Sequence, residues 1–129
     1  MVEKMPFQLA GFFRELGHGD PEGPSLVEAR GRVPPEERER LASYLRRGAD
    51  LAATGQVCSD YFETSTLLPE ALAIRTDGVW AWPSDLAYYV EKHGAEVPAA
   101  LVDHIKAVGY SPVSLSEEEL VDLSNRLID

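Results

Sequence analysis

Arg75-Thr76-Asp77-Gly78-Val79-Trp80-Ala81-Trp82-Pro83 runs straight into Ser84-Asp85-Leu86-Ala87-Tyr88-Tyr89-Val90. Asp-Gly between two β-prone runs is a strong signal for a two-residue hairpin turn. It predicts strands over 71–76 and 79–82. Such a turn sets Thr76 opposite Val79, Arg75 opposite Trp80, Ile74 opposite Ala81 and Ala73 opposite Trp82. Cross-strand partners share a face, so Ile74, Thr76, Val79 and Ala81 lie on one side and Arg75, Trp80 and Trp82 on the other. Ser84 is then expected to cap a helix over 85–93 that Gly94 ends, with Leu86, Tyr89, Val90 and His93 along one side. The stretch holds both tryptophans and two of the five tyrosines, which makes it the centre of the fold.

Outward from this centre the chain reads mostly as helix. Leu9, Phe12, Phe13 and Leu16 recur at helical spacing after Pro6, so residues 6–16 are expected to be helical, with Gly17 as the stop. Residues 17–24 read as a loop by composition. Ser25 and Glu28 have capping-box spacing and predict a short helical turn before Gly31. Pro34-Pro35 opens a helix over 35–47 with Leu41, Tyr44 and Leu45 as its apolar stripe. Arg46 and Arg47 suit its C-terminal dipole. Val57, Cys58, Tyr61 and Phe62 favour a strand over 51–62. Beyond the centre, Pro98 starts a helix over 99–107. Ser116 and Glu119 predict a capped helix over 117–128 with Leu120, Leu123, Leu127 and Ile128 as its stripe. The expected fold is a single-domain α+β architecture over 1–129, a small antiparallel sheet around Asp77-Gly78 covered by helices on one face.

Composition bounds the function. A chain of 129 residues can bury one core without disulfides or metals. The single cysteine, Cys58, forms no intramolecular disulfide and points to a reducing compartment. No secretory leader and no apolar run long enough to span a bilayer are legible, so a cytoplasmic protein is expected. Residues 1–48 balance eight basic against eight acidic side chains, while residues 49–129 carry four basic and fourteen acidic ones. The whole net charge of −10 therefore lies in the last two-thirds. Such a surface repels a phosphate backbone and steers a basic protein partner. The alternative is that the charge only maintains solubility.

Catalytic chemistry is not legible. His18, His93 and His104 have no paired helical spacing, there is no CxxC, and no metal or cofactor is expected. Gln56-Val57-Cys58-Ser59-Asp60 lacks the basic setting that activates a thiol. No nucleophile elbow, phosphate loop or dinucleotide fingerprint occurs. Asp77 is explained by its turn and Asp85 by the first turn of a helix.

Binding is the stronger theme. Trp80 and Trp82 share a hairpin face with Arg75, which allows a cation–π contact, and Tyr88 is expected to be partly exposed beside a buried Tyr89. The leading reading is a non-enzymatic, protein-binding domain. Glu91, Glu96 and Asp103 would engage a basic partner, with Trp80 or Tyr88 as anchors where exposed. The alternative for the tryptophans is that they pack under the helices. The alternative for the function is a small-molecule-binding protein or small enzyme, its pocket between Trp80, Trp82 and the Gly17–Pro24 loop. A third is a homo-oligomer using the last helix.

Thr76-Asp77-Gly78-x-Trp80-x-Trp82 followed by Leu86-x-Tyr88-Tyr89-Val90-x-x-His93 resembles a group of small uncharacterised actinobacterial proteins over about residues 41–110. The resemblance implies no catalytic residue. Its size and acidity are similar to those of immunity partners of polymorphic toxins.

Overall fold

The computed structural model describes residues 8–128. The elements are β1 (Gln8–Leu9), α1 (Leu26–Ala29), α2 (Pro35–Arg46), β2 (Ala49–Ala53), β3 (Ala73–Thr76), β4 (Trp80–Pro83), α3 (Leu86–His93), α4 (Ala99–Ala107) and α5 (Glu117–Ile128). The four strands form one sheet in the order β1-β4-β3-β2. The fold is α+β, as expected, but the sheet is mixed: β1 runs parallel to β4, and the other pairs are antiparallel.

The hairpin is present with a longer turn than expected. Thr76 pairs with Ala81, Arg75 with Trp82 and Ile74 with Pro83. The Asp77 carboxylate accepts the Val79 and Trp80 amides at 2.9 and 2.7 Å, and Thr76 Oγ1 accepts the Gly78 amide at 2.9 Å. These local side-chain bonds replace the ladder bonds of a two-residue turn. The register moves by two residues, so the face assignment survives because the side-chain period is two. Trp82 is fully buried, and its Nε1 donates to the Leu45 carbonyl at 3.0 Å. A Cβ on Gly48 would stand 2.6 Å from the Trp82 ring, so the chain leaving α2 needs glycine there.

The main core lies between this indole face and the helices α2 and α3, with Tyr44, Leu45, Leu86, Tyr89, Val90, Leu101 and Ile105 all fully buried. Helices cover both faces of the sheet, not one. Leu123 of α5 packs with Leu51, Ile74 and Ala81 on the opposite side.

The expected N-terminal helix is overturned. Its start at Pro6 lies outside the described residues, and from Gln8 the chain is extended. The Gln8 amide donates to Val79 O at 3.0 Å and the Ala10 amide to Ala81 O at 3.1 Å. Gly11 follows at φ +80°, with the Leu86 side chain where its Cβ would be. Tertiary pairing of an open strand edge wins over helical spacing. Residues beyond β2 do not continue the expected strand to 62. They form an irregular excursion folded back on itself, with Leu72 N to Gln56 O at 2.8 Å, Leu68 N to Cys58 O at 2.9 Å and Asp60 N to Thr66 O at 2.9 Å.

Helices α2 to α5 fall where their end signals put them, within a residue or two. Gly94 adopts φ +63° at the end of α3, and Ser116 and Glu119 exchange both capping-box bonds at 3.1 Å. Ser84 does not cap α3. Its hydroxyl accepts the Ala73 amide at 2.9 Å and donates to Ala71 O at 3.2 Å, leaving Asp85 at the cap position. The side chains of Leu127 and Ile128, the end of the expected α5 stripe, lie outside the described residues.

Candidate functional site

A groove of about 680 Å³ opens between the 11–14 segment, the α1–α2 region and the start of α4. Its construction begins at α1. Ser25 Oγ caps the Glu28 amide at 3.3 Å, and Glu15 reaches from across the loop to accept Ser25 Oγ at 2.6 Å and the Leu26 amide at 2.7 Å. Burial pushes the Glu15 carboxyl up, but the bonds from Ser25, Leu26 and Val27 outweigh it and bring it down to about 2. The chain after α1 is laced to the end of α3 by Gly31 N to His93 O at 2.8 Å, Val33 N to Gly94 O at 3.0 Å and Glu96 N to Ala29 O at 2.9 Å. Arg38 packs over Gly94 and donates to Val33 O at 2.9 Å.

Phe13, Val33, Leu41, Val97 and Val102 make an apolar floor. Glu28, Glu37, Glu96 and Asp103 stand around it against Arg14 and Arg32. Glu37 is shared with Arg40 at 3.4 Å, whereas Glu28, Glu96 and Asp103 form no ion pair among the described residues. An apolar floor with a net negative rim is suited to a ligand that is apolar in part and cationic in part.

The expected binding residues separate into three groups. Glu96 and Asp103 come together at this groove. Trp80 and Trp82 are 5% and 0% exposed, so neither indole is a surface anchor. Arg75, Tyr88 and Glu91 are engaged elsewhere. Arg75 faces Trp82 rather than Trp80, and its guanidinium binds Glu70 at 2.8 Å and Asp50 at 3.2 Å. Cation–π contacts among the described residues are Arg30 over Phe62, Arg40 over Tyr110 and Lys92 over Tyr88. Glu91 is held bidentately by Arg46 at 2.9 and 3.1 Å. The aromatic pocket was expected between the tryptophans and the Gly17–Pro24 loop. A cleft of about 320 Å³ beside that loop is lined by Leu9, Phe12 and His18 with no indole.

Tyr88 belongs to a network that the sequence reading missed. Asp60 is fully buried. It accepts the Tyr88 hydroxyl at 2.7 Å and the Phe62 amide at 2.8 Å, and lies 2.7 Å from His93 Nε2. Burial raises the Asp60 carboxyl, but His93, Tyr88 and the Phe62 amide lower it by more. With Glu63, Asp60 and His93 form a cluster of ligand type. Asp60 Oδ1 accepts two backbone amides, its Oδ2 meets Tyr88 and His93, and Lys92 Nζ sits 3.1 Å from Glu63, so the cluster is tied together as an internal clamp. It pins the 54–72 excursion to α3. Asp77 plays the same part at the hairpin, accepting Tyr44 Oη at 2.6 Å with His104 Nε2 3.2 Å away. Cys58 is half-buried. Burial and the Asp85 charge push its thiol up, the opposite of nucleophile activation.

No protein-family model matches the chain, and neither a curated protein nor a solved structure is detectably similar to it. Among the described residues no helix is long and apolar enough to cross a membrane.

Proposed function

We propose that this protein is a non-enzymatic protein-binding domain, immunity-like or regulatory in role, that takes a basic, partly apolar polypeptide segment in the groove beside Glu96 and Asp103. The observation that carries this reading is the groove itself. Carboxylates without ion-pair partners stand directly over an apolar floor. Lysine or arginine side chains of a bound segment would meet Glu28, Glu96 and Asp103 at the rim, while its apolar side chains cover Val97 and Val102. The net charge of −10 adds long-range steering toward such a partner. The same charge disfavours nucleic acid. A single thiol held in its neutral form is in keeping with a cytoplasmic setting.

The test is a titration of the isotope-labelled protein with a synthetic peptide alternating lysine and leucine, followed by amide NMR. Saturable shifts at Val97, Val102 and Asp103 are expected. They should weaken about tenfold between 0.05 and 0.5 M salt, where screening of rim charges becomes strong. The double variant Glu96→Lys, Asp103→Lys should abolish them. Shifts centred on the exposed acids of α5, or unchanged affinity in the double variant, would rule out this groove as the site.

A further inference from the structure

The Glu96–Asp103 groove also constrains the backbone of whatever lies in it. Its lining comes from α1, α2, the start of α4 and the irregular segments between, and none of these residues belongs to a strand. The backbone around it is largely committed. Segments 29–33 and 93–96 bond to each other, and the Arg14 amide donates to Pro24 O at 2.9 Å. Val33 O accepts from Arg38, Pro34 O from the Glu37 amide, and Pro98 O from the Leu101 and Val102 amides. Pro34 and Pro98 have no N–H to offer. An extended peptide draws its affinity from main-chain bonds to a free strand edge. Here it would lose water from amides and carbonyls and find few partners for them, which is costly. Phe13, the one aromatic side chain among the lining residues, is 2% exposed, so the stacking surface that a proline-rich segment uses is missing as well.

A helix bonds its own backbone internally and presents side chains alone. The groove suits one. Two helices border it: α2 through Glu37 and Leu41, and α4 through Ala99, Val102 and Asp103 at i, i+3 and i+4. Where solvent reaches the lining, its apolar surface is made by Pro24, Pro34, Pro98, Ala99 and Val102, short side chains that let a third helix come close. The exposed acids stand on separate parts of the chain, Glu28 on α1, Glu96 before α4 and Asp103 within it. Cations at several points along the margin of an apolar stripe would each meet a carboxylate.

We propose that the segment taken by this groove is an amphipathic helix of a partner protein, about two turns long, with apolar residues at i, i+3, i+4 and i+7 and lysine or arginine beside them. This rests on the reading of the groove given above and adds the conformation and spacing of its occupant.

The experiment titrates the isotope-labelled full chain with three capped peptides of equal lysine, leucine and alanine content at about 0.1 M salt, read by amide NMR. One carries a leucine stripe flanked by lysines and is locked as a helix by an i,i+4 staple on its polar side. The second is stapled in the same way with its leucines scattered around the helix. The third alternates apolar and polar residues. Saturable shifts at Val97, Ala99, Val102 and Asp103 are expected with the striped helix, at least ~10-fold tighter than with either of the others. Ala99→Trp, at an exposed position of the groove, should weaken the striped helix at least ~10-fold, and Glu96→Lys with Asp103→Lys serves if Ala99→Trp disturbs α4. Equal or tighter binding of the alternating or the scattered peptide at these amides would overturn the helical occupant and leave the groove reading standing. Shifts at these amides from none of the peptides, or unaltered affinity in both variants, would overturn the groove reading together with it.

Discussion

Asp60 and Asp85 are both almost completely buried, and each has a histidine within 3 Å. They differ in everything else. Asp60 gathers a phenol, an imidazole and backbone amides, so its charge is fully compensated inside the fold. Asp85 makes no hydrogen bond among the described residues; it faces His18 Nε2 at 2.8 Å and stands at the N-terminus of α3, where the helix dipole favours an anion. Burial alone therefore does not say what an acid is for. The donors around it do. A carboxylate saturated with donors ties chain segments together, whereas one that faces a single imidazole contributes less to the fold.

The sharpest way to break this comparison is to neutralise each acid in turn. Asp60→Asn should cost about 2–4 kcal/mol in urea unfolding, because an amide cannot accept from all the donors left behind. If Asp60→Asn unfolds at the wild-type midpoint, the clamp is not structural. Acid titration comes next in size. Both Asp60 and Glu15 are held below their ordinary range, so they stabilise the fold at neutral pH. That contribution falls away as pH drops, through about 4.5 to 2 for Glu15 and below about 3.8 for Asp60. Glu15→Gln should cost about 1–2 kcal/mol at pH 7, in the range of a lost cap, and should flatten the pH dependence of the unfolding midpoint between about 4.5 and 2. Unchanged acid sensitivity would remove Glu15 from this account.

Asp85→Asn should cost less than about 1 kcal/mol, the weakened helix-dipole term offset by the relief of desolvating a charge. A loss as large as that of Asp60→Asn would erase the distinction between the two sites. Smallest of all, Glu96→Gln and Asp103→Gln should each stay within about 0.5 kcal/mol of wild type, as expected for exposed groups without partners. A larger effect would mean that the groove rim supports the fold.

Legibility in the sequence tracked how local the deciding interaction was. Pro35, Gly94 and the Ser116–Glu119 pair act within one helical turn, and the helices they bound were predictable. Residues 8–16 were not, because Gln8 and Ala10 answer to the edge of β4, some seventy residues away. The hairpin's position was legible from Asp77-Gly78, but its register was not, since that depended on how the Asp77 and Thr76 side chains divide the turn amides. The site divided in the same manner. Glu96 and Asp103 were expected to bind, yet their meeting with Glu28 is made by the lacing of 29–33 to 93–96. Asp85 read as an ordinary helix-start residue, and nothing nearby in the sequence announces that His18 will lie against it.

The sheet's edges bear on how this molecule can meet others. Among the described residues one border is β1 (Gln8–Leu9), and the other is β2, which carries a bulge between Asp50 and Ala52 and is backed by α5. Among the described residues neither offers the long, flat row of free amides and carbonyls that recruits a strand from another chain. At the β2 border the bulge and α5 discourage growth of the sheet into a stack of copies. Recognition is left to side chains, and its specificity to the chemistry that each groove displays.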